Sequence, residues 1–237
     1  MSAEESLAQT LPEESQMKSL EWTDERIEKF WNHQSSEYFS ELIGPRLLDM
    51  VEPIESPILD YGCGSGALMG YLLDRGHEVS GVEVSGTEGI WKRFGGHPRF
   101  GYATSPDRLV GRFRTIFLVE VIEHLSDAHL SETLGRIWDA LYPGGTLIIT
   151  TPNDEDLSKS LVYCPECEHE FHRMQHVRSW NSETLSGELS FRGFEVETHE
   201  TDFSCDLRRK PLWTLYTLPR YLMGRKFPHL LCIARKP

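Results

Sequence analysis

Long apolar runs are missing from this chain. No stretch approaches the roughly 18 consecutive apolar residues a membrane-spanning helix needs, so a helical anchor is not expected. Positive charge is also scarce: 24 Lys and Arg face 37 Asp and Glu, a net charge of −13. That balance argues against broad contact with nucleic acid phosphates and leaves room only for a local basic patch. Cysteines number five, and only Cys164 and Cys167 are closely spaced, which excludes a disulfide framework. Residues 1–19 lack a basic segment followed by an apolar one and carry Glu4, Glu5, Glu13 and Glu14 instead. The pattern predicts a mobile acidic tail over 1–19 and a cytoplasmic protein.

What is present suits one soluble domain over 20–237. The hydrophobic share of 39% and charged share of 26% are ordinary for a globular chain. The most telling run is Leu59-Asp60-Tyr61-Gly62-Cys63-Gly64-Ser65-Gly66. It sits between a short buried strand (about 56–60) and a helix (67–75), and a second strand (78–83) ends in Glu83. Alternate glycines let the backbone turn tightly and approach a ligand. The helix start offers free N–H groups, and a terminal acid can accept two hydrogen bonds from a ribose diol. Asp60, Gly62, Cys63, Gly64, Gly66, Glu83, Val84, Thr104 and Glu120 are the candidate cofactor-binding residues. Gly62-x-Gly64-x-x-Ala67 also satisfies a dinucleotide fingerprint. Against a dinucleotide, a carboxylate at Asp60 would repel a pyrophosphate, but it suits the ammonium and sulfonium of S-adenosylmethionine.

Further strands are predicted near 99–103, 115–119, 146–150, 194–198 and 230–234, with helices at 86–93, 128–141 and 182–192 between them. Two helices are expected within 20–51, broken at Gly44-Pro45. Strands alternating with helices predict an α/β fold: a doubly wound, seven-stranded, mainly parallel sheet with an antiparallel edge.

With the Asp-x-Gly-x-Gly-x-Gly run, Glu83, Pro143-Gly144-Gly145 and Thr151-Pro152-Asn153 in this order, the chain resembles class I S-adenosylmethionine-dependent methyltransferases. Two positions depart from that pattern. Arg114 stands where an Asp often opens the fourth strand, and Ala103-Thr104-Ser105 replaces the acid that binds adenine. The resemblance implies S-adenosylmethionine as methyl donor.

Three constellations bear on the acceptor. Glu120, Glu123 and His124 end the fourth strand and would share one face of a helical turn. Two carboxylates and an imidazole suit Mg²⁺, Mn²⁺ or Fe²⁺. Glu120-x-x-Glu123-His124 resembles metal-dependent O-methyltransferases of the ubiquinone-biosynthesis and small-RNA 2′-O-methylating types. The run His176-x-x-x-Trp180-Asn181-x-Glu183 resembles the one that completes the metal site in the latter, implying Glu120, Glu123, His124 and His176 as ligands. The expected catalytic residues are His124, Glu123 and His172, with His33 a further proton acceptor. A bland polar cluster around substrate is the competing account.

Second, Cys164, Cys167, His169 and His172 have the composition of a closed zinc knot within an insertion at 155–180. Third, 205–227 is a basic, aromatic, lid-like insertion that suits a cover over the site or peripheral contact with anionic lipid. Pro211 and Pro219 predict only short helical pieces there. Metal-assisted O-methylation of a vicinal diol, on a sugar, glycan or catechol-like small molecule, is the expected activity. N-methylation, metal-free O-methylation, an NAD-dependent oxidoreductase and a non-catalytic cofactor-binding partner protein are the alternatives.

Overall fold

The protein is described by a computed structural model that covers residues 18–33, 39–84, 86–109 and 111–237. The predicted acidic tail therefore lies outside the described residues, apart from Lys18 and Ser19. In chain order the elements are β1 (Lys18–Ser19), α1 (Asp24–His33), α2 (Phe39–Val51), β2 (Ile58–Tyr61), α3 (Ala67–Asp74), β3 (Val79–Val82), α4 (Thr87–Phe94), β4 (Phe100–Thr104) and β5 (Phe113–Val119). There follow α5 (Asp127–Ala140), β6 (Leu141–Pro152), β7 (Leu161–Cys164), β8 (His169–His172), α6 (Ser182–Phe191), β9 (Glu195–Thr201), α7 (Pro211–Leu222) and β10 (His229–Arg235).

Seven strands form the main sheet in the order β4-β3-β2-β5-β6-β10-β9. The first five run parallel, and β10 runs antiparallel to both β6 and the outer strand β9. Successive side chains of a strand point to opposite faces, and the core divides accordingly. Leu59, Ile116, Leu118 and Ile149 meet Leu134, Ile137 and Leu189 of α5 and α6 on one face. Ile58, Phe117 and Ile148 meet Leu47, Leu68 and Leu72 of α2 and α3 on the other. The carboxyl ends of β2, β3, β5 and β6 thus share one edge, where ligands bind in open α/β sheets.

Two helices differ from the sequence expectation. Gly44-Pro45 lies inside α2 rather than between two helices. Burial of Ile43, Leu47, Leu48 and Val51 against the sheet outweighs the hydrogen bond Pro45 removes. Gly44 serves close packing, because a Cβ there would stand 2.7 Å from the Tyr71 ring of α3. Likewise α7 is one helix of 12 residues through Pro219. The carbonyl that Pro219 leaves unpaired belongs to Leu215, on the exposed side where water can serve it. The segment 155–180 contains the β7–β8 hairpin, which joins β1 in a separate three-stranded sheet.

Candidate active site

The cofactor side is made of backbone turns. β2 ends at Tyr61, and Gly62 turns the chain at φ 80° so closely against the next loop that a Cβ would stand 2.5 Å from Val121 Cγ2. Gly66 caps α3, and Cys63 is buried in the core. Glu83, one residue past β3, accepts hydrogen bonds from the Gly64 and Val84 N–H groups, both at 2.7 Å. Its carboxylate is therefore fixed beside the glycine turn. The Glu83 N–H donates to the Thr104 carbonyl at 3.0 Å, which places the end of β4 in the same cradle. Asp60 is only 2% exposed, and its Oδ2 has no hydrogen-bond partner. Burial, reinforced by the charge of Glu83, pushes its carboxyl up to about 7. A ligand cation beside it would supply the missing partner.

The acceptor side is made of side chains from three segments. After β5, Glu120 takes a left-handed conformation (φ 53°), and Ile122–His124 forms one tight turn instead of a longer helix. That turn drives Glu123 into the interior at 1% exposure, where Thr151 donates to its Oε2 at 3.1 Å. Glu123 Oε1 and Glu120 Oε1 have no hydrogen-bond partner. The Val177 N–H donates to the Glu123 carbonyl at 2.9 Å, which draws the 172–180 segment across the site.

Two groups of ligand-bearing side chains result, Glu123–His124–His176 and Glu155–His172–His176, each with its donor atoms within 4.8 Å of one another. Among the described residues these are the groups of three or more. The His172 and His176 rings stack at 4.5 Å, and His176 Nδ1 pairs with Glu155 Oε2 at 2.5 Å. His172 Nδ1 accepts from the Met174 and His176 N–H groups, so its proton sits on Nε2, facing Glu155 Oε1 at 3.4 Å. Trp31 of α1 meets the His124 ring edge-on at 4.9 Å and donates to Gln175 Oε1.

Electrostatically this side is incomplete. Burial pushes Glu120 up to about 7, with the charge of Glu155 adding to it. Burial and then the charge of Glu120 hold Glu123 well above the usual carboxylate range. Burial, with His176 next to it, takes His124 down to about 3. Three carboxyls and three imidazoles thus converge, with Glu120 and Glu123 drawn toward their protonated forms and His124 toward its neutral form. A bound cation would displace those protons, pair with the carboxylates and accept neutral imidazole nitrogens. The residues present fit a divalent cation with oxygen and nitrogen ligands.

A family model described as a methyltransferase domain matches residues 24–199. The chain belongs to this methyltransferase family. The fold agrees. A SAM-dependent methyltransferase from Archaeoglobus fulgidus superposes with TM-score 0.57 at 20% identity, covering 83% of this chain and 94% of that one. The glycopeptide N-methyltransferase MtfA complexed with sinefungin gives TM-score 0.60 at 17% identity, covering 86% and 98%. The Burkholderia thailandensis 1,6-didemethyltoxoflavin-N1-methyltransferase, with bound 1,6-didemethyltoxoflavin and S-adenosylhomocysteine, gives 0.55 at 16%, covering 90% and 83%. No curated protein matches the sequence. The molecule is a methyltransferase enzyme with the fold of the S-adenosylmethionine-dependent class.

In the methyltransferase, three of the four residues expected to share an ion, Glu123, His124 and His176, come together. Glu120 lies beside them, outside the group. His33, on the exposed end of α1, belongs to neither group. The expected zinc knot is not assembled. In the hairpin Cys164 pairs with His169, at the end opposite the Leu161–His172 pair, and His172 is held among Glu155 and His176. Hydrogen bonds from the Cys167 backbone and side chain hold the Cys164 thiol below its usual range, at an exposed turn. Glu155 and Gln175 are the residues that sequence reasoning missed. Glu155 follows Thr151-Pro152-Asn153 by two residues at the ligand-binding edge, and that placement was its signal. Nothing in the sequence distinguishes Gln175, whose amide also donates to the His124 carbonyl at 3.2 Å.

Proposed function

We propose that the enzyme transfers the methyl group of S-adenosylmethionine to a hydroxyl of a small-molecule or glycan acceptor, one of a vicinal pair, with the help of a divalent cation. Asp60, Glu83 and the Gly62–Gly66 turn hold the donor. Glu123, His124 and His176 hold the cation, with Glu120 and Glu155 beside them. The observation that carries this reading is the buried Glu123 carboxylate, one oxygen orphaned, facing two imidazoles at the edge that also carries the cradle.

When bound, the cation supplies a Lewis acid that lowers the pKa of the hydroxyl it meets. The chain's own residues do the rest. Burial leaves His124 too weak a base to take the acceptor's proton, so its part is that of a neutral ligand. Glu155, partly exposed and paired with His176, offers the proton a way to solvent. Trp31 and Gln175 wall the pocket on the α1 side and keep water from the reacting oxygen. The acceptor oxygen bonds to the methyl carbon as the carbon–sulfur bond breaks, leaving S-adenosylhomocysteine.

A second reading is metal-free transfer to an oxygen or nitrogen, with Glu120, whose carboxyl lies near 7, as general base. One assay separates the two: transfer of labelled methyl from S-adenosylmethionine to a panel of sugars, catechols and amines, with and without chelator, and metal content measured on the same sample. Activity on diols that falls with chelation supports the first reading. Activity indifferent to chelation supports the second, and no transfer to any member of the panel counts against both.

A further inference from the structure

Helix α7 is built inside out. Its inward positions are Thr214 and Thr217, at 3% and 4% exposure, whose hydroxyls donate to the helix's own Lys210 and Trp213 carbonyls. Its outward positions are Leu212, Leu215 and Leu222, at 83%, 62% and 82%, with Met223 continuing the face. A helix held to the body by the hydrophobic effect would present the opposite pattern. Beside Thr214 lies an open cleft of about 440 Å³ whose lining mixes the charged Arg46, Asp49, Asp202 and Asp206 with the apolar Leu218 and Phe227. None of Leu212, Leu215 and Leu222 lines that cleft, and all three stand exposed on the other side of the helix.

The charge around that face is as unusual as its apolarity. In a chain of net charge −13, residues 207–237 contain no Asp or Glu. Arg209 and Lys226 pair with acids of the body, Asp206 and Asp49 for the first and Asp154 for the second. Arg220 and Arg225 instead lie over the Tyr216 and Tyr221 rings, and Arg208 and Lys210 flank the helix start. Exposed leucines with Trp213 and Tyr216 beside arginines on aromatic rings are the makeup of a helix that lies in a lipid headgroup layer. A second copy would bring two basic faces together, and an acidic body elsewhere would repel anionic lipid except at this patch.

We infer that α7 and its basic flanks are a docking surface for an anionic membrane, which the enzyme binds peripherally with the Leu212–Leu215–Leu222 face in the interfacial layer. The inference stands apart from the methyl-acceptor reading, because the surface is described without reference to the catalytic cluster. The Asn153 amide donates to the Phe227 carbonyl, and the Asn153 N–H to that of Pro228, so the insertion is tied to the chain two residues before Glu155.

The test is flotation of the full chain with vesicles of phosphatidylglycerol and phosphatidylcholine in equal parts, against vesicles of phosphatidylcholine alone. Binding is expected to the anionic vesicles, weakening as salt rises. The double variant Leu215→Glu, Leu222→Glu is expected to lower partitioning at least roughly tenfold, given the area of two leucines. Both residues are exposed, and unchanged S-adenosylmethionine affinity by calorimetry shows that the variant is folded. Arg220→Glu with Arg225→Glu is expected to remove the preference for anionic lipid. No flotation of the wild-type chain overturns the inference. So does concentration-dependent dimerisation by light scattering that the leucine variant abolishes, since a second copy then covers the face. Failure here leaves the methyl-transfer assay untouched, and failure of that assay leaves flotation untouched.

Discussion

The two halves of the active edge are built from different materials. The cradle at 60–66 and 83–84 is mostly backbone with two carboxyls: Glu83 already accepts two N–H bonds, and Asp60 is buried with its Oδ2 unpartnered beside the glycine turn. The acceptor side at 120–124, 155 and 172–176 is side chains, with buried carboxylate oxygens that have no hydrogen-bond partner. A turn fixed by glycine and by strand ends stays in place with nothing bound, so the donor meets a preformed site. A cluster of buried carboxyls stays in place only at an electrostatic cost, and a cation relieves that cost. On the reading proposed above, the donor cradle needs only the donor's own positive charge beside Asp60, while the acceptor side would take a cation as a further component.

Four substitutions break or sharpen this contrast. The largest effect belongs to Glu123→Ala. It should remove bound cation and lower turnover by at least about 10³-fold, with S-adenosylmethionine affinity by calorimetry unchanged. Full turnover would dissolve the distinction between the halves. Next is Glu83→Ala, which should weaken donor affinity by roughly 10- to 100-fold through two lost charge-assisted hydrogen bonds. Cation content should stay the same, and its loss would show that the halves are one unit.

Gly62→Ala follows, since its Cβ would enter Val121 and its φ of 80° suits glycine alone. It should cost about 2–3 kcal/mol in a thermal or denaturant melt. Adding Val121→Ala should restore part of that loss, because the clash goes while the backbone strain stays. No recovery would mean the two loops do not press on each other. The smallest effect is at Asp60. Folded, it keeps its proton up to about pH 7; unfolded, it loses it near the ordinary Asp value. Its contribution to stability is therefore full at about pH 4 and lost as pH rises through about 7. Asp60→Asn should raise the melting temperature of the ligand-free chain at pH 8, by a few degrees, and change little at pH 4. A gain at pH 4 alone would reverse the sign.

Most of the cradle is legible in the sequence because it is local. Asp60 to Glu83 is one strand–turn–helix–strand unit, and each residue's place follows from its neighbours. The mainly parallel, doubly wound sheet with its antiparallel edge is legible from the alternation of elements, while the order of its strands is not. The acceptor side is only half legible. Glu123 and His124 stand out, yet their partner Glu155 sits 31 positions beyond His124, brought in by the Asn153–Trp180 bridge. The β7–β8 hairpin escapes pattern reading because Leu161, Val162 and Tyr163 are all exposed, so no apolar–polar alternation marks it. Pro45 and Pro219 mislead for a related reason. A proline's local cost is visible in sequence, while the burial or solvation that offsets it belongs to the tertiary fold. The four residues expected to hold zinc are not gathered together because a short spacing along the chain says nothing of which end of a hairpin each one occupies.

The central claim is that the acceptor side is a cation site beside an independent donor site. Titration calorimetry of Mn²⁺ into the metal-stripped enzyme, wild type and Glu123→Gln, at two pH values tests it most directly. The account predicts one ion bound per chain, held more tightly at the higher pH because Glu123 must give up its proton, and little or no binding in the variant. Equal Mn²⁺ affinity in wild type and variant, or none in either, would contradict it.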